Sequence, residues 1–61
     1  MPNFFIELLE GRTVEQKQQL VEGITELAVK ILKTDPETVH IRFLNVKKED
    51  WAKGGKLYVY K

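Results

Sequence analysis

Hydrophobic residues alternate with polar ones near the start of the chain, and this pattern predicts a strand over residues 3–10. Phe4, Ile6 and Leu8 fall on one face of that strand, and Phe5 and Leu9 fall on the other. Large apolar side chains on both faces indicate that both faces of the strand need cover.

The hydrophobic period then changes to three and four residues, which predicts one amphipathic helix from residue 14 to about residue 33. Thr13 followed by Gln16 predicts a capping box at its start, and Pro36 predicts an end near Lys33. Gly23 lies inside this helix at a cost of about 1 kcal/mol relative to alanine, which a close packing contact could explain. The apolar stripe of the helix consists of Leu20, Val21, Ile24, Leu27, Ala28, Ile31 and Leu32.

Two further strands are predicted, one over residues 38–46 and a short closing one over residues 56–61. A polar loop separates them, and Gly54-Gly55 marks a tight turn. The helix is long enough to connect parallel strands by a right-handed crossover. We therefore expect a single α+β domain over residues 1–61, a β-α-β unit with parallel strands and a C-terminal hairpin.

One helix can cover only one face of the two-stranded sheet in this unit. A chain of 61 residues buries only about 60% of the surface that it exposes when unfolded. The other sheet face and at least one sheet edge stay open, and such a unit is marginal by itself. Oligomerisation is therefore expected from the hydrophobic pattern.

Charge and composition narrow the possible partners. Ten basic and nine acidic residues give a net charge of +1, which provides no electrostatic footprint for nucleic acid or an anionic membrane. The absence of cysteine and the presence of one histidine argue against a structural metal site. No apolar run approaches the roughly 20 residues of a membrane span, and no signal peptide is recognisable. We expect a cytoplasmic protein.

Several short motifs resemble the 4-oxalocrotonate tautomerase family, and the resemblance covers nearly the whole chain. They are Pro2 after the initiator methionine, LEGRT at 9–13, EQK at 15–17, VHI at 39–41, and Trp51 before Gly54-Gly55. The resemblance implies a β-α-β unit with a C-terminal hairpin that is completed by oligomerisation. It also implies a homo-hexamer, a trimer of dimers with its helices outside.

The resemblance further implies a cofactor-independent isomerase that interconverts enol and keto forms. Its substrate would be a small 2-oxo acid or dienol carboxylate such as 2-hydroxymuconate. Removal of Met1 would leave Pro2 as an N-terminal secondary amine that acts as the general base. An apolar pocket and nearby cations disfavour the ammonium form and lower its pKa, so that the amine can move a proton between carbons.

Four other residues are candidates for the site on the same resemblance. Arg12 would bind a substrate carboxylate and draw electron density from the reacting carbon. Trp51 would make the pocket apolar, unless it is a core or interface anchor. His40 stands where the family has a second arginine, and a histidine is shorter and only partly charged at neutral pH. Arg42, on the same face and roughly 6.6 Å along the strand, is the other candidate for that role. Each could instead be structural.

Two alternative functions are compatible with the same residues. One is a non-catalytic oligomeric scaffold or binding protein with the same fold. The other is a related dehalogenase or decarboxylase that uses the same proline. Hydrolytic dehalogenation usually needs an added acidic residue to activate water, and Glu7 and Asn45 are the available polar candidates.

Overall fold

The predicted β-α-β unit and C-terminal hairpin are both present in the computed structural model, which describes residues 2–61. Strand β1 spans Asn3–Leu9, helix α1 spans Val14–Leu32 and strand β2 spans His40–Val46. β1 and β2 are parallel along their whole length, with Asn3 opposite His40 and Leu9 opposite Val46. The predicted α+β fold class is confirmed.

Side-chain and backbone caps fix both ends of α1 close to the predicted positions. The Gln16 N–H donates to Thr13 Oγ1 at 3.0 Å, and the Thr13 N–H donates to Gln16 Oε1 at 2.9 Å. At the other end Lys33 takes a left-handed conformation with φ 57°, and its N–H donates to the Val29 carbonyl at 3.0 Å. The capping box and the helix end are therefore confirmed.

The second strand begins later than predicted, at His40 instead of residue 38. The preceding residues Pro36–Thr38 form a single 3-10 turn. Asp35 caps this turn, because its Oδ1 accepts the Glu37 N–H at 2.9 Å. This local hydrogen bond favours the turn over an extended strand, and the strand begins at His40, where pairing with β1 starts.

The predicted closing strand over residues 56–61 is wrong beyond its first two residues. Strand β3, Ala52–Lys53, pairs antiparallel with strand β4, Lys56–Leu57, across the glycine turn. Tyr58–Tyr60 then form a 3-10 turn, and the Lys61 N–H donates to the Tyr58 carbonyl at 3.1 Å. Within residues 2–61 no strand pairs with this stretch, so it does not form a strand although its side chains alternate.

Helix α1 covers one face of the sheet and leaves the other open. Phe4 and Ile6 are half-buried and line a groove with Ile24 and Ala28 of α1. On the opposite side Phe5 is 63% exposed. We call this opposite side the open face; its residues are Asn3, Phe5, Glu7 and Leu9 of β1 and His40, Arg42, Leu44 and Val46 of β2.

The chain has almost no core of its own. Among residues 2–61 only Ala28 is buried, with 6% of its surface accessible. The radius of gyration is 14.8 Å, whereas a compact domain of this length has about 10.5 Å. Four residues of the predicted helical stripe are exposed: Leu20, Leu27, Ile31 and Leu32. The stripe is therefore wider than the surface that two strands can cover.

We expect the folded protein to be an assembly of several chains, because the exposed stripe and the open face both need cover. Sedimentation velocity at micromolar concentration should give a mass several times the 7.1 kDa of one chain. A folded monomer at that concentration, with native circular dichroism, would contradict this expectation.

Candidate functional site

Pro2 lies at the amino end of β1, where it needs no backbone donor. Its carbonyl accepts the His40 N–H at 3.1 Å, which extends the parallel ladder by one hydrogen bond. The residue is half-buried. This bond fixes the proline beside the first residue of β2, so Pro2 and His40 share one end of the sheet.

Arg12 lies at the other end of the sheet, in the turn between β1 and α1, and it is exposed. Gly11 in this turn has φ +118°, a backbone conformation that residues other than glycine rarely adopt. The Glu10 N–H donates to the Val46 carbonyl at 2.9 Å, and Glu10 Oε2 accepts the Lys48 N–H at 3.3 Å. The turn is thus tied to the carboxyl end of β2.

The length of β1 separates the two residues that the sequence places in one catalytic site. Asn3 and Leu9 are six residue steps apart, which corresponds to about 20 Å in a strand. Pro2 precedes this strand and Arg12 follows it. One chain therefore does not bring Pro2 and Arg12 together.

His40 and Arg42 both project from β2 on the open face, as alternation predicted, and both are exposed. Arg42 stands directly opposite Phe5 in the parallel register. Its Cζ atom lies 5.9 Å from the centroid of the Phe5 ring, within the range of a cation–π contact. The sequence reasoning missed this role of Phe5, which becomes visible once the register of the two strands is known.

Trp51 belongs to the C-terminal arm, which we define as residues 47–61. It is half-buried, and its ring centroid lies 6.0 Å from that of Tyr58 at an interplanar angle of 47°. The Tyr58 N–H donates to the Trp51 carbonyl at 2.8 Å, and Lys61 Nζ lies 4.3 Å from the Tyr58 ring centroid. Tyr58, which the sequence reasoning did not single out, therefore holds Trp51 in place.

The five predicted site residues thus form two groups. Pro2, His40 and Arg42 lie toward the amino ends of the strands, whereas Arg12 and the arm that carries Trp51 follow their carboxyl ends. Between residues 2 and 61 we find no cluster of three His, Cys, Asp or Glu side chains suited to a metal ion. In the same part of the chain, no helix combines the length and the apolar content that crossing a membrane requires.

Comparisons with known proteins agree on one family. Residues 4–59 match the family model described as tautomerase enzyme. A probable tautomerase of Listeria monocytogenes serotype 4b is 44% identical over 55 residues, covering 90% of each chain. A crystal structure of a 4-oxalocrotonate tautomerase homologue superimposes with a TM-score of 0.95 at 38% identity, over 100% of this chain and 97% of the other.

A more distant neighbour among the solved structures is described as a heterohexamer 4-oxalocrotonate tautomerase from Chloroflexus aurantiacus. It is 27% identical and has a TM-score of 0.87, with coverage of 97% of this chain and 95% of that one. The backbone path described above is therefore shared by proteins that differ at most sequence positions.

Replacing Gly11 by alanine should destabilise the turn that presents Arg12. No atom lies within 4 Å of the added Cβ, so the cost comes from the backbone angle and should be about 1–2 kcal/mol. Gly23→Ala is the matched control, since it adds the same methyl group inside α1, also with nothing within 4 Å. It should stabilise the protein by about 0.5–1 kcal/mol.

Urea unfolding at equal protein concentration measures both variants. The prediction fails if Gly11→Ala is as stable as the unmodified protein. A loss of stability in Gly23→Ala would instead show that the exposed side of α1 packs closely against another chain.

Proposed function

Because the chain belongs to the tautomerase family, we propose that it is a cofactor-independent isomerase that interconverts the enol and keto forms of a small 2-oxo acid. A dienol carboxylate such as 2-hydroxymuconate is the substrate class that we propose. The observation that carries the proposal is the placement of Pro2. The hydrogen bond from the His40 N–H holds it at the end of the sheet where both strands begin. We also propose a cytoplasmic location.

In this proposal Pro2 is the general base. Removal of Met1, which lies outside the described residues, converts the proline nitrogen from an amide into a secondary amine with a basic lone pair. The amine takes a proton from one carbon of the substrate and returns it to another. The five-membered ring and the anchored carbonyl together restrict the direction in which the lone pair points.

Arg12 in this proposal binds a substrate carboxylate and draws electron density away from the reacting carbon. Its planar guanidinium can hold a carboxylate through two parallel hydrogen bonds. The separation of about 20 Å along β1 requires that the Arg12 acting with a given Pro2 comes from another chain. We propose a homo-hexamer, a trimer of dimers, in which Trp51 forms an apolar wall of the shared site.

A mixed-assembly experiment tests the sharing of Pro2 and Arg12 between chains. Pro2→Ala and Arg12→Ala chains, each of low activity alone, should regain activity when they are refolded together. Random mixing leaves roughly one quarter of the sites with both residues intact. If the mixture is no more active than the average of the two separate variants, each site draws both residues from one chain.

The ionisation of Pro2 gives a second test. The turnover rate should rise with pH as the ammonium loses its proton, because desolvation by Trp51 and the charge of Arg12 disfavour the cation and lower its pKa below that of a free proline amine. Chain that retains Met1, confirmed by mass spectrometry, should be inactive. Equal turnover of 2-hydroxymuconate by both forms would exclude the amine as the base, and no turnover by either would favour a scaffold.

A further inference from the structure

One cation on the open face is held by an aromatic ring. Arg42 stands opposite Phe5 in the parallel register, with its Cζ atom 5.9 Å from the ring centroid. The Phe5 side chain is 63% exposed, which is unusual for a phenylalanine in the middle of a strand. The ring therefore gives little to a core within one chain, and its contact in the structure is with the guanidinium.

The surroundings of this pair leave the positive charge without full compensation. The other titratable side chains on the open face are Glu7, two residues beyond Phe5 on β1, and His40, two residues before Arg42 on β2. A guanidinium that a bound ligand takes out of water needs an anion as a partner. The ring orients Arg42 but carries no net charge.

We propose that Arg42, oriented by Phe5, binds the second carboxylate of a dicarboxylate substrate, and that Phe5 is the positioning residue that sets this specificity. The inference rests on the proposed function, since it assigns a ligand group to the same site. It also decides between two residues that the sequence left open, because it gives the second carboxylate to Arg42 and not to His40.

The chemistry of the two residues favours Arg42 over His40. A guanidinium is always charged and offers a planar fork of donors that matches a carboxylate, whereas an imidazole offers one or two separate donors. In the strand register the His40 side chain stands beside Asn3, which brings no aromatic face. Within residues 2–61, Arg42 but not His40 contacts an aromatic ring, and this contact restricts the conformation of Arg42 before a ligand arrives.

The position of Arg42 also fits a ligand held at both ends. Extending the register places Pro2 level with residue 39, so Arg42 lies about 10 Å along the sheet from the base. That is about half the length of β1, the strand that separates Pro2 from Arg12 of the same chain. A dicarboxylate can thus be held by Arg42 from the chain that supplies the base and by Arg12 from another chain.

Binding of two matched, unreactive ligands tests the proposal on the assembled protein. trans,trans-Muconate and sorbate share the same six-carbon diene, but only muconate has a second carboxylate. By isothermal titration, Arg42→Met should weaken muconate binding at least about tenfold and leave sorbate binding unchanged. Phe5→Leu, which keeps an apolar side chain but removes the ring, should weaken muconate binding about two- to fivefold.

Further variants separate positioning from a general structural role. Phe5→Tyr restores the ring and should restore muconate binding, and Phe5→Leu should have no added effect in the Arg42→Met background. His40→Gln should change the preference for muconate over sorbate less than twofold. Sedimentation and circular dichroism confirm assembly, and Arg42→Lys replaces Arg42→Met if the latter does not assemble, with an intermediate loss expected.

Four results would overturn the proposal. Selective loss of muconate binding in His40→Gln but not in Arg42→Met would assign the carboxylate to His40. Equal weakening of both ligands by Phe5→Leu would make Phe5 merely structural, as would failure of Phe5→Tyr to rescue. Muconate binding at least tenfold tighter in Glu7→Gln would show that Glu7 already pairs with Arg42.

Because neither ligand carries the 2-hydroxyl group, these results do not depend on turnover. Selective muconate binding by Arg42 in a protein that turns over no substrate would refute the proposed function and leave the inference standing. Turnover of 2-oxo acids without that selectivity would support the proposed function and refute the inference.

Discussion

A shortage of buried apolar surface limits the stability of this fold when the chain is alone. Between residues 2 and 61, one helix resting on two strands encloses a single residue, Ala28, and leaves the remaining apolar surface half-buried or exposed. A two-stranded sheet is at best marginal in water, and a helix gains its stability mainly from packing its apolar face. The capping box and the left-handed cap at Lys33 therefore define where α1 begins and ends, but they cannot replace the missing contacts. We expect partner chains to supply those contacts.

Parallel pairing of β1 and β2 is the second determinant, because it decides which residues can meet. A parallel pair needs a crossover, so α1 returns the chain to the end of the sheet where β1 begins, and both strands begin at that end. Pro2 and His40 consequently become neighbours although 38 positions separate them in the sequence. Arg12 is moved to the far end by the same topology. In an antiparallel hairpin of the same two strands, β2 would begin beside the end of β1, so His40 would lie near Arg12 instead of Pro2.

Much of the fold could be predicted from local signals that have a direct physical cause. Alternation gave β1, the capping box gave the start of α1, and Pro36 marked the region in which the helix ends. The turn at Tyr58–Tyr60 could not be predicted, because main-chain bonds such as that from Tyr58 to Trp51 leave no trace in the side-chain pattern. Pro2, Arg12, His40, Arg42 and Trp51 came from motif resemblance, and their roles stay predictions. The Phe5–Arg42 contact required the strand register, which alternation alone does not provide.

The two faces of β2 have different consequences for how such a protein can change over evolution. Ile41 and Phe43 point toward α1 and are restricted by the volume left beneath the helix, whereas His40 and Arg42 point away from it. Because side chains alternate with a period of two, a cationic group can move along the strand in steps of two residues without altering a helix-facing position. Ligand preference and packing are thereby encoded at interleaved but separate positions. A duplicated copy of the gene could therefore acquire a new substrate through open-face substitutions while its helix packing stays intact.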